Sequence, residues 1–208
     1  MQIFPRQLNA LPLVLAVVAV GGGVATWFLL WYFFTPEATQ VGYRPKQPVP
    51  YSHKLHVGEL GIDCRYCHAN VERSQEAMVP PTQTCMGCHA RVRKDSPRLE
   101  AVRESWESGR PVPWVRVHKL PEHVYFDHSA HLAAGVGCVS CHGRVDQMDT
   151  AQVAEPISME WCLGCHRDPA PNLRPKDQIT NMAWQPPEGW VADASKVNPP
   201  QHCSGCHR

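Results

Sequence analysis

Five Cys-x-x-Cys-His motifs account for all ten cysteines in this 208-residue chain. They are Cys64-x-x-Cys67-His68, Cys85-x-x-Cys88-His89, Cys138-x-x-Cys141-His142, Cys162-x-x-Cys165-His166 and Cys203-x-x-Cys206-His207. Disulfides explain ten cysteines in an exported chain, but not a histidine after every second one. Structural zinc uses Cys-x-x-Cys, but wants a second ligand pair elsewhere rather than a histidine fused to each pair. A dithiol redox motif is expected within a βαβ pattern, and none is visible.

The spacing matches the chemistry of c-type haem attachment. Two thiols add across the two vinyl groups of one macrocycle, and the adjacent histidine places an imidazole on the iron. The sequence therefore predicts five covalently bound haems, with His68, His89, His142, His166 and His207 as proximal iron ligands. Aromatic residues make up only 8% of the chain, and there are 20 prolines and 14 glycines. Long periodic apolar runs of the kind that build an ordinary core are missing. The expected fold is mainly α and irregular, with porphyrins filling the core. A net charge of +1 makes no case for nucleic acid. No acid–base pair, nucleophile or phosphate loop is recognisable, so no bond-making catalysis is expected of the chain alone.

Residues Leu8 to Phe34 carry no charged side chain. About 20 apolar residues span a bilayer as a helix. A cleavable signal has a shorter apolar core and a small-residue cleavage site, which is not evident after Phe34. One retained transmembrane helix is expected. Arg6 before the span and Glu37 after it favour a cytoplasmic N-terminus. Haem attachment after export likewise places the body outside, in the periplasm. Trp27, Trp31 and Tyr32 suit the outer interface, and Gly21-Gly22-Gly23 suits close approach of another helix.

The body reads as a duplication. Tyr51, His53 and His56 precede the first two motifs as Phe126, His128 and His131 precede the third and fourth. The fifth motif stands alone. Of 12 histidines, seven lie outside the motifs: His53, His56, His118, His123, His128, His131 and His202. Histidines three apart share a helix face, so the two His-x-x-His pairs offer distal ligands for four haems. For the fifth, His118, His123 and Met182 are candidates, while His202 abuts Cys203. Met78, Met86, Met148 and Met159 read as packing residues. Ser96-Pro97 opens a helix with Leu99, Val102 and Trp106 on one apolar face, and Gly109 and Pro111 end it.

The segments predicted are a membrane anchor at 1–35, a proline-rich linker at 36–50 and a dihaem module at 51–95. A connector helix and loop at 96–125, a second dihaem module at 126–170 and a proline-rich segment with the fifth motif at 171–208 complete the chain.

The stretches Tyr51 to His68, Trp114 to Pro121 and Met159 to His166 resemble the pentahaem cytochrome subunit of bacterial alternative complex III. The His-x-x-His element by itself also resembles small multihaem cytochromes of class III type. The first resemblance implies a subunit of a membrane complex that oxidises menaquinol and passes electrons to a periplasmic cytochrome or an oxidase. It implies an iron–sulfur subunit, quinol-binding integral membrane subunits and a monohaem cytochrome c as partners. Cluster-binding and quinol-binding residues would lie on those other chains. His118 falls within a family-like stretch, which favours it over His123 as the fifth distal ligand. Rival functions are a self-sufficient quinol dehydrogenase and a small-molecule reductase with an open haem site.

Overall fold

The structure, a computed structural model, describes residues 5–34 and 40–208. It forms two compact units, Met1–Gln40 and Val41–Arg208. In the first, α1 (Leu11–Phe34) follows a 3-10 turn, Arg6–Ala10. Pro12 falls in the first turn of α1, where its missing N–H costs no hydrogen bond. The helix is apolar all round and none of its residues is buried. Within the apolar stretch Leu8–Phe34, an 18-residue window has a mean hydropathy of 2.3. Its 24 helical residues rise about 36 Å, enough for a hydrocarbon core of about 30 Å. Arg6's side chain and residues 35–39, Glu37 among them, lie outside the described residues. The charge argument for orientation therefore lies there too.

The second unit is built from short helices: a π-helical turn (Lys54–Glu59), α2 (Cys64–Cys67), α3 (Thr82–His89), α4 (Glu100–Ser108), α5 (His128–Ala134), α6 (Val139–His142), α7 (Met159–Arg167) and α8 (Cys203–Cys206). Among the described residues, sheet pairing is limited to two antiparallel bridges, Val124 with His207 and Val136 with Leu173. The rest is 3-10 turns and irregular chain, as the proline content requires.

Caps set the helix limits. Asp63 accepts from Arg65 N to start α2, Asp127 accepts from Ser129 N and Ala130 N to start α5, and Ser158 accepts from Trp161 N to start α7. Ser96 and Pro97 open the turn leading into α4, and Gly109 ends it at φ 69°. One expectation fails there. Val102 is buried, but Trp106 is 51% exposed. Ser105 takes the inward position instead. Its hydroxyl donates to Arg110 O at 2.5 Å and stands 2.6 Å from Thr82 Oγ1, tying α4 to the start of α3.

Two small apolar clusters hold the body together. Val49, Val102 and Val112 pack with Cys85 and Met86, and Val71, Leu132 and Ile179 pack with Cys138. Neither amounts to a core for a unit of this size. Residues from all five motifs instead line one cavity of about 3510 Å³. Single small-molecule sites enclose roughly 300–1,000 Å³.

The repeated segments interlock reciprocally. Lys54 N donates to Met148 O at 3.0 Å, and Ser129 N donates to Ser74 O at 3.3 Å. Lys54 follows His53 as Ser129 follows His128, and Ser74 lies as far beyond His68 as Met148 lies beyond His142. Each His-x-x-His segment thus pairs with the chain that follows the other segment's first motif. Ser52 Oγ to Asp149 (2.9 Å) and His128 N to Gln75 O (3.1 Å) extend the two contacts.

Candidate haem-binding site

Each motif places its cysteines about one helical turn apart on the same face, with the histidine immediately after the second cysteine. The backbone then orients the imidazoles. His68 Nδ1 meets Met78 O at 2.7 Å, His89 Nδ1 meets Val92 O at 2.9 Å, and His166 Nδ1 meets Pro200 O at 2.7 Å. Three of the four His-x-x-His rings do the same: His56 to Ser52 O at 2.9 Å, His128 to Gln75 O at 2.7 Å, His131 to Asp127 O at 2.7 Å. A carbonyl only accepts, so in all six Nδ1 carries the proton and Nε2 keeps its lone pair. This is the arrangement by which an outer hydrogen bond aims a metal-binding histidine.

The rings face one another in pairs across the cavity. Two imidazoles bound through Nε2 to opposite faces of one iron, with metal–nitrogen bonds of about 2 Å, have ring centres about 6 Å apart. His56 and His89 are 6.2 Å apart, His128 and His142 6.3 Å, and His131 and His166 6.1 Å. His123 and His207 are 5.7 Å apart. The bridge between Val124 and His207, with Arg208 N donating to His123 O at 3.1 Å, holds this last pair.

The structure brings His118 to His142, not to the fifth motif. The ring centres are 4.6 Å apart and edge-on, too close for an iron between them. His118 Nε2 and His53 Nδ1 are buried without a hydrogen-bond partner. His53 lies by His68 and His56, and burial pushes its pKa down to about 4, with the charges of those two rings adding. Burial pushes His142 down to about 3 and also lowers His118 and His131. These rings are neutral bases at pH 7, the form in which imidazole binds metal. Met182 is buried at 6% exposure, and His202 is exposed.

Aromatic rings brace both His-x-x-His pairs alike. Tyr51 stacks on His56 at 4.5 Å and meets His53 edge-on at 4.9 Å. Phe126 stacks on His131 and meets His128 edge-on, each at 4.7 Å. The repeat marks these aromatics in the sequence. The carbonyls that orient the rings leave no such mark, since any residue can supply one.

The donor set fits c-type haem: paired thiols on single turns, neutral imidazoles with Nε2 free, opposed rings at the required spacing and a large apolar-lined cavity. Such a site defines a c-type haem-binding cytochrome. Residues 124–208 match the family model for cytochrome c7 and related cytochrome c. The chain is also 31% identical over 184 residues to the menaquinone reductase multihaem cytochrome c subunit of Nitratidesulfovibrio vulgaris strain Hildenborough, covering 86% of this chain and 79% of that one. This protein belongs to that family of multihaem cytochrome c subunits.

Proposed function

We propose that the chain carries five covalent c-type haems in its cavity and serves as an electron relay in a membrane-bound, quinone-reacting oxidoreductase. The observation that carries the reading is the set of opposed histidine pairs between 5.7 and 6.3 Å, each joining a motif histidine to one outside the motifs. The ten cysteines, from Cys64 to Cys206, form the thioethers. His68, His89, His142, His166 and His207 are proximal ligands, and His53, His56, His128 and His131 are distal ones. For the fifth haem the ring geometry favours His123 over His118 and Met182.

When bound, the haems supply reversible one-electron chemistry, and the protein supplies the rest. Its carbonyls hold imidazole orientation, its histidine pairs would hold the irons and leave no site open to substrates, and its short segments would wrap the macrocycles. The segments 51–95 and 126–170 act as two dihaem modules, with the fifth motif appended in 171–208. The segment 1–35, through its helix Leu11–Phe34, anchors the body on the periplasmic face, with the N-terminus in the cytoplasm.

Partners are the other subunits of the complex: an iron–sulfur protein, quinol-binding membrane subunits and a monohaem cytochrome c, as in alternative complex III. Electrons then run from menaquinol to a periplasmic cytochrome or an oxidase. A second reading reverses the direction. The Nitratidesulfovibrio relative is named a menaquinone reductase, which delivers electrons to quinone. Bis-histidine haems conduct either way, and relative potentials set the direction.

The test compares the complex extracted gently from native membranes with the isolated chain. Menaquinol should reduce the haems in the complex and not in the chain alone. Rapid reduction in the isolated chain would replace the relay with a self-sufficient quinol dehydrogenase. A high-spin haem that binds small ligands in the native complex would favour a reductase.

A further inference from the structure

We infer that the five haem-binding motifs stand in single file in the order second, first, third, fourth, fifth, with the second and fifth motifs as the two ends of the relay. The inference rests on the five-haem reading and adds the path through it.

Each neighbouring pair is joined by its own contact. The second and first motifs meet where Tyr66 Oη lies 3.7 Å from the position a Cβ on Gly87 would take. The π-helical turn also carries His56 to His89 while His53 stands by His68. The first and third motifs meet at their leading cysteines, Cys64 and Cys138, whose thiols are neighbours. Residues 179 and 180 clamp that junction. Cys138 N donates to Ile179 O at 3.1 Å, and Thr180 Oγ1 donates to Asp63 Oδ2 at 2.7 Å. Conversion of both sulfurs to thioethers would leave the two positions adjacent. The edges of the two macrocycles would meet there.

The third and fourth motifs share α5, which presents His128 to His142 and His131 to His166 one turn apart. Asn172 ties them again: Gly137 N donates to its carbonyl at 3.4 Å, and its Nδ2 reaches Cys165 Sγ at 3.6 Å. The fourth and fifth motifs are joined by the segment leading into α8. His166 Nδ1 donates to Pro200 O at 2.7 Å, and Gln201 Nε2 donates to His166 O at 3.1 Å.

The reciprocal pairing of Lys54 with Met148 and Ser129 with Ser74 explains the order. Two related segments that exchange contacts in this way are arranged about an approximate two-fold axis, as at an isologous interface. The contact between Cys64 and Cys138, equivalent positions in the two segments, lies on that axis. The first and third motifs are therefore central, the second and fourth flank them, and the fifth extends the fourth. Exposure agrees. Cys88 and Cys203 are the two exposed cysteines, one at each end of the file. A one-electron donor at one end and a one-electron acceptor at the other complete the transfer, with no bond made or broken in this chain.

The test is a density map of the unsubstituted, haem-loaded protein in its complex, from which iron positions are read directly. The expected result is one file in which the first and third irons are nearest neighbours and the second and fifth are farthest apart. A redox titration followed by EPR on distal-ligand variants gives a second readout. His128→Met should disturb the signals of two other haems, and His56→Met and His123→Met those of one each. Five irons in chain order, in a branched cluster, or with the first and third not adjacent would overturn the order while leaving the relay intact. Fewer than five haems would sink the relay reading itself.

Discussion

His128 and His142 face each other across the cavity with ring centres 6.3 Å apart and planes 7° from parallel. His128 is held by Gln75 O, on the chain that follows the first motif, so a residue of one repeated segment aims a ligand in the other. His128→Ala should leave one iron without its sixth ligand. The absorption and EPR spectra should then gain one high-spin component while the other four haems stay low-spin. His56→Ala and His131→Ala should do the same for other haems. An all-low-spin spectrum in any of these variants would count against that ligand.

The fifth distal ligand separates on the same measurement. His123→Ala should produce a high-spin haem, because His123 stands 5.7 Å from His207. His118→Ala should leave five low-spin haems, because its ring is too close to His142 for an iron between them. The opposite pattern would return the role to His118.

Haem content follows from the motifs alone. Intact mass should exceed that of the polypeptide by five haems, and the haem should stay with the chain on denaturation. Replacing both cysteines of the exposed fifth motif should remove one haem from the mass.

Asp63 caps α2, pairs with Arg65 and accepts from Thr180. Its pKa is held down to about 2 against an ordinary 3.8, chiefly by the hydrogen bond from Arg65. A carboxyl with a lowered folded-state pKa stabilises fully above its unfolded value, and that contribution disappears as pH falls through the folded value. Asp63→Ala should cost about 1 kcal/mol near neutral pH from the lost cap. Thermal melts of the variant and the parent should converge as pH drops from about 4 towards 2.

Gly58 lies where the π-helical turn meets the carbonyl of Asp146, and a Cβ there would collide with that backbone oxygen. Backbone cannot swing aside as a side chain does. Gly58→Ala should therefore destabilise by about 1–3 kcal/mol, as overpacked sites do. Denaturant midpoints of the haem-loaded variant and parent would measure it.

The five Cys-x-x-Cys-His motifs were legible in the sequence because they are local. Two thiols and an imidazole lie within five residues, so each motif declares itself without a fold. The His-x-x-His pairs were legible because their spacing places both rings on one face and the chain repeats the device. The apolar N-terminal helix, the turn that Ser96 opens before α4 and the end of α4 at Gly109 follow from local rules of hydropathy and capping. The pairing of His123 with His207 depends instead on an antiparallel bridge between distant segments, which leaves no periodic trace in either. Trp106 points outward because Ser105 found partners in Thr82 and Arg110, and only packing brings those together. The succession of motifs in space departs from their succession in the chain for the same reason. The repeated segments exchange contacts about Cys64 and Cys138, and tertiary structure alone decides which ends of a duplication meet.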